Sequence, residues 1–357
     1  MKKLTLTVAA LLSGYYVFAQ SNGSVVTQTG DFNQSVVSQS GTHTSTVLQI
    51  SSGETDAEKN QATVTQKNIP VFQTQGSMSK VEQYGKEHTT TVIQTGKNSL
   101  EAYIGSDGST VSENADNETY ATQYGSDNRA KQIIRGSSAT ESSLLLNQGG
   151  TKNNSHQIAS WAVSSEGNVL QSGNRNDAWQ QVDGTRNESS IEQFDNDNYA
   201  FQWIEGGAST DNVSKISQMG DFNNARVYTK GSENTFQVNQ MGDQNQVIGL
   251  SGNFYSNAEQ TGNGNNALLS QIGDNNTFRI AQDGDRNKIQ GTTTSGALQL
   301  GDINTGIFSQ NGNDLSIISG QFGNNNVETI TQAGNLSKSV VLQSGGFNNG
   351  TVAQSDH

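Results

Sequence analysis

Few residues of this 357-residue chain have the types and spacing for catalysis or metal binding. The four histidines, His43, His88, His156 and His357, are scattered, without the short fixed intervals of a metal site, and are expected to be exposed. Cysteine is absent. The turn Gly273-Asp274-Asn275-Asn276 offers hard oxygen donors of the kind calcium takes, but the Gly-Gly-x-Gly-x-Asp calcium pattern is missing. Trp161, Trp179 and Trp203 are expected to be packing or surface aromatics, although an exposed pair could bind a polymer. No acid, base or Lys/Arg cluster stands apart, so no enzyme, cofactor or metal is expected. The chemistry the chain does repeat is that of the carboxamide, which carries both a donor and an acceptor.

The carboxamides recur in register. Gln218, Gln240, Gln260, Gln282, Gln299, Gln321 and Gln343 are each followed two residues on by Gly220, Gly242, Gly262, Gly284, Gly301, Gly323 and Gly345. Three residues further stand Asn223, Asn245, Asn265, Asn287, Asn304, Asn326 and Asn348. Between them lie looser units whose Gln positions hold Thr229, Leu250, Gln271, Gln290, Gln310, Gln332 and Gln354. The repeat is therefore about 22 residues in two halves, a length that signals a solenoid or array. Upstream, Gln28-Gly30-Asn33, Gln123-Gly125-Asn128 and Gln171-Gly173-Asn176 keep the full pattern, and residues 50–70, 97–120 and 137–165 read as loops bulging from a continuing coil.

These side chains must be positioned by strands. An eleven-residue period also suits a right-handed coiled coil, but a Gly in every unit would cost a helix about 1 kcal/mol each time. Apolar residues alternate instead with period two: Phe278 and Ile280 face one way, Thr277 and Arg279 the other, and Phe236 with Val238 or Ala267 with Leu269 fill the same slots. Each unit is then a short strand and a turn. The glycine supplies a backbone conformation that other residues resist, with Asp or Asn beside it. Two units make one rung, rungs pair in parallel about 4.7–4.8 Å apart, and equivalent amides stack in columns. The fold class expected is all-β, a parallel β-solenoid of about fifteen two-strand rungs.

Composition agrees. Hydrophobic residues are 31% of the chain, too few for a large compact core, while one proline and strong periodicity argue against disorder. Residues 1–19 read as a secretory signal peptide, with Lys2-Lys3, an apolar run and Val17-Phe18-Ala19 before the cleavage point. The repeat domain then covers 20–357, most regular over 217–357, with no later membrane span expected. The formal charge of −13 disfavours nucleic acid and anionic membranes as partners.

Residues 260–271, QTGNGNNALLSQ, resemble the curlin repeat S-x5-Q-x-G-x-G-N-x-A-x3-Q at Gln260, Gly262, Gly264, Asn265, Ala267 and Gln271. Elsewhere the second glycine is replaced, by Phe222, Gln244, Arg286 or Asn325, and the leading serine is mostly lost. The resemblance implies a secreted subunit of curli-type amyloid fibres that serve adhesion and biofilm matrix. It implies self-association as the main interaction, with a nucleator subunit and an outer-membrane secretion pore as further partners. The alternative is a monomeric secreted β-solenoid, an adhesin or a glycan- or ice-binding protein with capped ends. Pattern running to Gln354 favours polymerisation. Asp221 over Asp243, and Asp285 over Asp302, are expected one rung apart, where like charges repel and slow assembly until the medium turns mildly acid.

Overall fold

A computed structural model describes residues 22–31, 33–51, 59–68, 76–105, 115–136, 139–206, 209–250, 254–272, 276–291 and 297–355. The expected signal peptide, His357 and most of the turn 273–276 lie outside the described residues. Two compact units are present: one holds the described residues up to Arg175 with Gln181–Arg186, the other Asn176–Gln180 and the described residues from Asn187 on. Each is a parallel β-solenoid, and no helix occurs among the described residues.

Most strands skip their neighbour in sequence and pair in parallel with the next but one, while the long strands Thr89–Gly105 and Glu118–Arg135 each span two half-turns and pair with each other directly. In the first unit Gln34–Ser40 pairs with Gln61–Lys67, and that strand with the start of Thr89–Gly105. In the second, Val213–Met219 pairs with Thr235–Met241, which pairs with Phe254–Thr261. Two sheets therefore face each other across a thin interior. Inward residues of one strand run small, branched, amide: Ser214, Ile216 and Gln218 are all buried, and Phe236, Val238 and Gln240 lie directly beneath or above them. The period-two burial of Val213–Met219 and Thr235–Met241 matches the alternation of the sequence.

The described strands make fewer turns than the about fifteen expected from repeat length. Chain is spent between strands, from Ser51 to Gln61, Lys67 to Met78 and Gly105 to Glu118. A second departure has larger consequences. Lys288–Gln290 and Ala297–Leu300 are not two successive half-turns, because both pair with the single strand Asn266–Ile272 and together fill one level. Gln290 accordingly falls opposite Ile318, outside the glutamine position. Leu250 is likewise opposite Ser270 and not Gln271.

Candidate functional site: amide columns, corner residues and strand edges

In the second unit one column of buried glutamines runs from Gln193 through Gln218, Gln240, Gln260, Gln282, Gln310 and Gln332 to Gln354. At each step Nε2 donates to Oε1 of the next, over 2.7–2.9 Å. The same Nε2 also donates across the interior to the facing sheet. Gln218 reaches the carbonyl of Tyr199 at 3.0 Å, and Gln260 that of Gln246 at 3.0 Å. Each amide thus fastens one rung to the next and one sheet to the other, which lets a polar group sit in the interior without a desolvation penalty. The first unit has an equivalent column, Gln39, Gln66, Gln94, Gln123, Gln148 and Gln171.

The seven regular glutamines do not all share that column. Gln299, Gln321 and Gln343 stand in the opposite sheet, bonded in series at 2.7 and 2.8 Å. The cause is that Lys288–Gln290 and Ala297–Leu300 share one level where two half-turns were expected, which moves every later unit to the other face. The asparagines divide in the same way. Asn223, Asn245, Asn265 and Asn287 form one corner column, and Asn304, Asn326 and Asn348 continue from Asn276 in the other. The glycines follow: Gly220, Gly242, Gly262 and Gly284 stack together, as do Gly301, Gly323 and Gly345. Asp285 and Asp302 consequently do not stack. The amide of Asp285 donates to Asn313 Oδ1, and that of Asp302 to Asn324 Oδ1.

At the corners each asparagine works at three points. Oδ1 of Asn223 accepts the backbone N–H of Asn245, while Nδ2 donates to the carbonyls of Met219 and Gly242. Glycine is required where the chain leaves the strand. At Gly262, φ is +106°, and a Cβ would lie 2.1 Å from the carbonyl oxygen of Gly284. Two residues on, the pattern's second glycine has ample room. Gly264, Phe222, Gln244, Arg286 and Asn325 all adopt φ between +56° and +66° there, so the left-handed turn persists whichever residue fills it.

One functional position escaped the sequence reading. The residue directly after the turn glycine, taken there as a turn former or a charge, carries a column of its own. Asp243 Oδ1 accepts the N–H of Asp221, Asn263 that of Asp243, and Asp285 that of Asn263. Its signal is the recurrence of Asp or Asn, the two residues whose short side chains place an acceptor at that distance. Two histidines also stand elsewhere than expected: His43 and His88 are buried, with 1% and 0% exposure. The tryptophans differ among themselves. Trp161 is exposed, whereas Trp179 stacks on Phe201 with centroids 4.5 Å apart and Trp203 meets Tyr228 edge-on at 5.0 Å.

At the extremities, strands pair on one side only among the described residues. Gly23–Thr29 and Gln34–Ser40 bond only to later strands, and Lys338–Ser344 and Asn349–Ser355 only to earlier ones. The glutamine columns end with matching chemistry. Nε2 of Gln343 and of Gln354 donates to a backbone carbonyl and has no further glutamine above it, while Gln28 and Gln39 have none below. No helix among the described residues is long and apolar enough to cross a membrane, and they contain no cluster of three metal-ligating side chains.

Such columns and open edges define a class, the repeat solenoid held by internal amide ladders. Residues 210–246 and 257–284 match the curlin associated repeat, in the stretch where the sequence resemblance is strongest. The repeat and the solenoid together fit a curli-type subunit. No curated protein matches the chain.

Proposed function

We propose that this chain is a secreted structural subunit that polymerises into extracellular curli-like fibres supporting adhesion and biofilm matrix. Residues 1–19 serve as its signal peptide, and 20–357 form the mature repeat region. The observation that carries this reading is the complementarity of the two ends. Gln343 and Gln354 offer amide donors where the columns stop, and Gln28 and Gln39 offer acceptors where they start. An exposed parallel strand edge templates a further strand, and a second copy brings the matching one. A nucleator and a secretion pore are the partners a curli-type subunit uses, and the regular amide columns serve here as the stacking code.

The mature chain from Gln20 is to be incubated at micromolar concentration. Fibres with meridional diffraction at about 4.7–4.8 Å are expected. Gln343→Ala with Gln354→Ala is expected to lengthen the lag several-fold, since the end then lacks its donors. A chain that stays monomeric for days under these conditions overturns the reading and leaves the capped adhesin.

A further inference from the structure

The corner columns follow one rule: a side-chain acceptor takes the backbone N–H of the next rung, and a side-chain N–H returns to the carbonyl where its own strand ended. Asn223 does so in the second unit. In the first unit serine takes some corners, with Ser77 and Ser142 accepting the next N–H through Oγ, and two corners use an imidazole and keep the rule. His43 Nδ1 accepts the N–H of Ser77 at 3.0 Å, and its Nε2 lies 3.0 Å from the carbonyl of Ser40. His88 Nδ1 accepts the N–H of Asn117 at 3.4 Å, and its Nε2 lies 3.1 Å from the carbonyl of Tyr84. The backbone N–H of each histidine in turn donates to an asparagine Oδ1 of the rung before, that of His43 to Asn22 and that of His88 to Asn60.

A backbone N–H can only donate and a carbonyl can only accept. The partners therefore fix both rings in the neutral Nε2–H tautomer. A proton added at Nδ1 sets N–H against N–H and removes the bond that ties one rung to the next. We propose that His43 and His88 are a proton-sensitive latch in the N-terminal unit, closed while both rings are neutral and opened by acid, so that the rungs they join separate there first. Asparagine, which fills the same corner elsewhere, cannot take up a proton in this range.

Around His88 stand Asp116, beside Asn117 on the next rung, Lys86 and Glu87 just before it in the chain, and Lys59 beside Asn60 on the preceding rung. Burial pushes His88 from 6.5 down to about 4, against the Tyr84 carbonyl and, more weakly, Asp116, both of which favour the cation. His43 lies near Lys67, whose strand partner Ser40 supplies its carbonyl. Burial lowers His43 as well, against the pull of that carbonyl. The sign follows: the unfolded chain takes up protons first, so stability is full above about 6.5 and is lost as pH falls through the lower folded values.

The test is hydrogen–deuterium exchange of the full mature chain between pH 7 and pH 4, corrected for intrinsic exchange, against the His43→Asn/His88→Asn variant. In the parent, protection of Thr44–Ser51, Met78–Gly85 and Thr89–Thr95 is expected to fall on the order of a hundredfold. In the variant it does not fall, and Val213–Met219 of the other unit does not fall in either protein. Identical pH profiles in parent and variant overturn the latch. If the variant does not fold, ring ¹⁵N shifts of the parent at pH 7 decide: a protonated Nδ1 on either histidine overturns it, and a bare Nδ1 with protonated Nε2 on both supports it.

Discussion

Gln260 donates its side-chain N–H to Oε1 of Gln282 at 2.7 Å, although 22 residues of chain separate them. The bond closes only when the two strands are paired in register, whatever the length of chain between them: the same bond spans 20 residues from Gln240 to Gln260 and 28 from Gln282 to Gln310. It is therefore a register lock as well as a stabilising contact, and it leads to the first prediction.

Gln260→Ala removes the acceptor of Gln240 and the donor to Gln282. Gln282 Oε1 is left unpaired in the interior, at about 1–3 kcal/mol, and Gln240 Nε2 keeps only its bond to the Asn224 carbonyl. Thr277→Ala, on the outward side of Asn276–Asp283, is expected to change stability by less than about 0.5 kcal/mol. Chemical denaturation of the two variants compares them, and equal effects contradict the inward role of the column.

Turn glycines divide into two kinds. Gly262→Ala drives a methyl to 2.1 Å from a carbonyl oxygen on the next rung, at a left-handed backbone. A loss of several kcal/mol is expected, beyond the about 1–2 kcal/mol of the backbone conformation alone. Gly264→Ala meets nothing closer than 3.7 Å, at φ +66°, and is expected to cost only that backbone term. The reverse change, Phe222→Gly at φ +60°, is expected to raise stability by about 1 kcal/mol, read as a higher denaturation midpoint.

Glu328 lies in the interior of the second unit between Gly306 and Gly350 of the adjoining rungs. Oε2 accepts from Ser319 Oγ at 2.7 Å, while Oε1 has no partner. Burial raises its carboxyl from 4.5 to about 7, against the Ser319 bond. A raised folded value means that stability is complete below about 4.5 and declines as pH climbs through about 7. Glu328→Gln is expected to abolish that decline and to gain about 2–3 kcal/mol at pH 8. Denaturation midpoints of the second unit at pH 5 and pH 8 check it. The sign is opposite to that of the histidine latch, so exchange resolved by strand separates them.

Much of the structure was legible because the chain repeats itself. Phe278 and Ile280 alternating with Thr277 and Arg279 announced a strand, and Gln, Gly and Asn at fixed intervals announced stacked turns. What failed to show was where spacing and register part company. Gln290-Gly291 has the appearance of a half-turn end, yet its strand is completed only at Ala297–Leu300, since both segments find partners along Asn266–Ile272. Backbone pairing decides that, and no local residue type reports it. His43 and His88 misled for another reason. Polarity and isolation suggested exposure, whereas an imidazole can reproduce the donor and acceptor of the asparagine at a corner. Glu328 gave no signal, because its burial is set by the glycines 22 residues to either side.

The unbroken glutamine column of the second unit, from Gln193 to Gln354, has a mechanical meaning. The opposite sheet holds Val227 and Thr229, then Val247, then Ala267 and Leu269 at its buried inward positions, and its side-chain ties lie at the corner, through Asn223, Asn245 and Asn265, and on the outer face, where Asn266 Nδ2 donates to Gln246 Oε1 at 2.7 Å. Tension applied along the stack meets two unequal tethers, a sheet whose interior carries a continuous glutamine column and a sheet whose buried positions at these levels are apolar or hydroxyl, tied by side chains only at its corner and outer face. The sheet without the glutamine column, Asn224–Lys230, Gln246–Leu250 and Asn266–Ile272, is the more extensible of the two, so the unit yields by bending toward its strapped face.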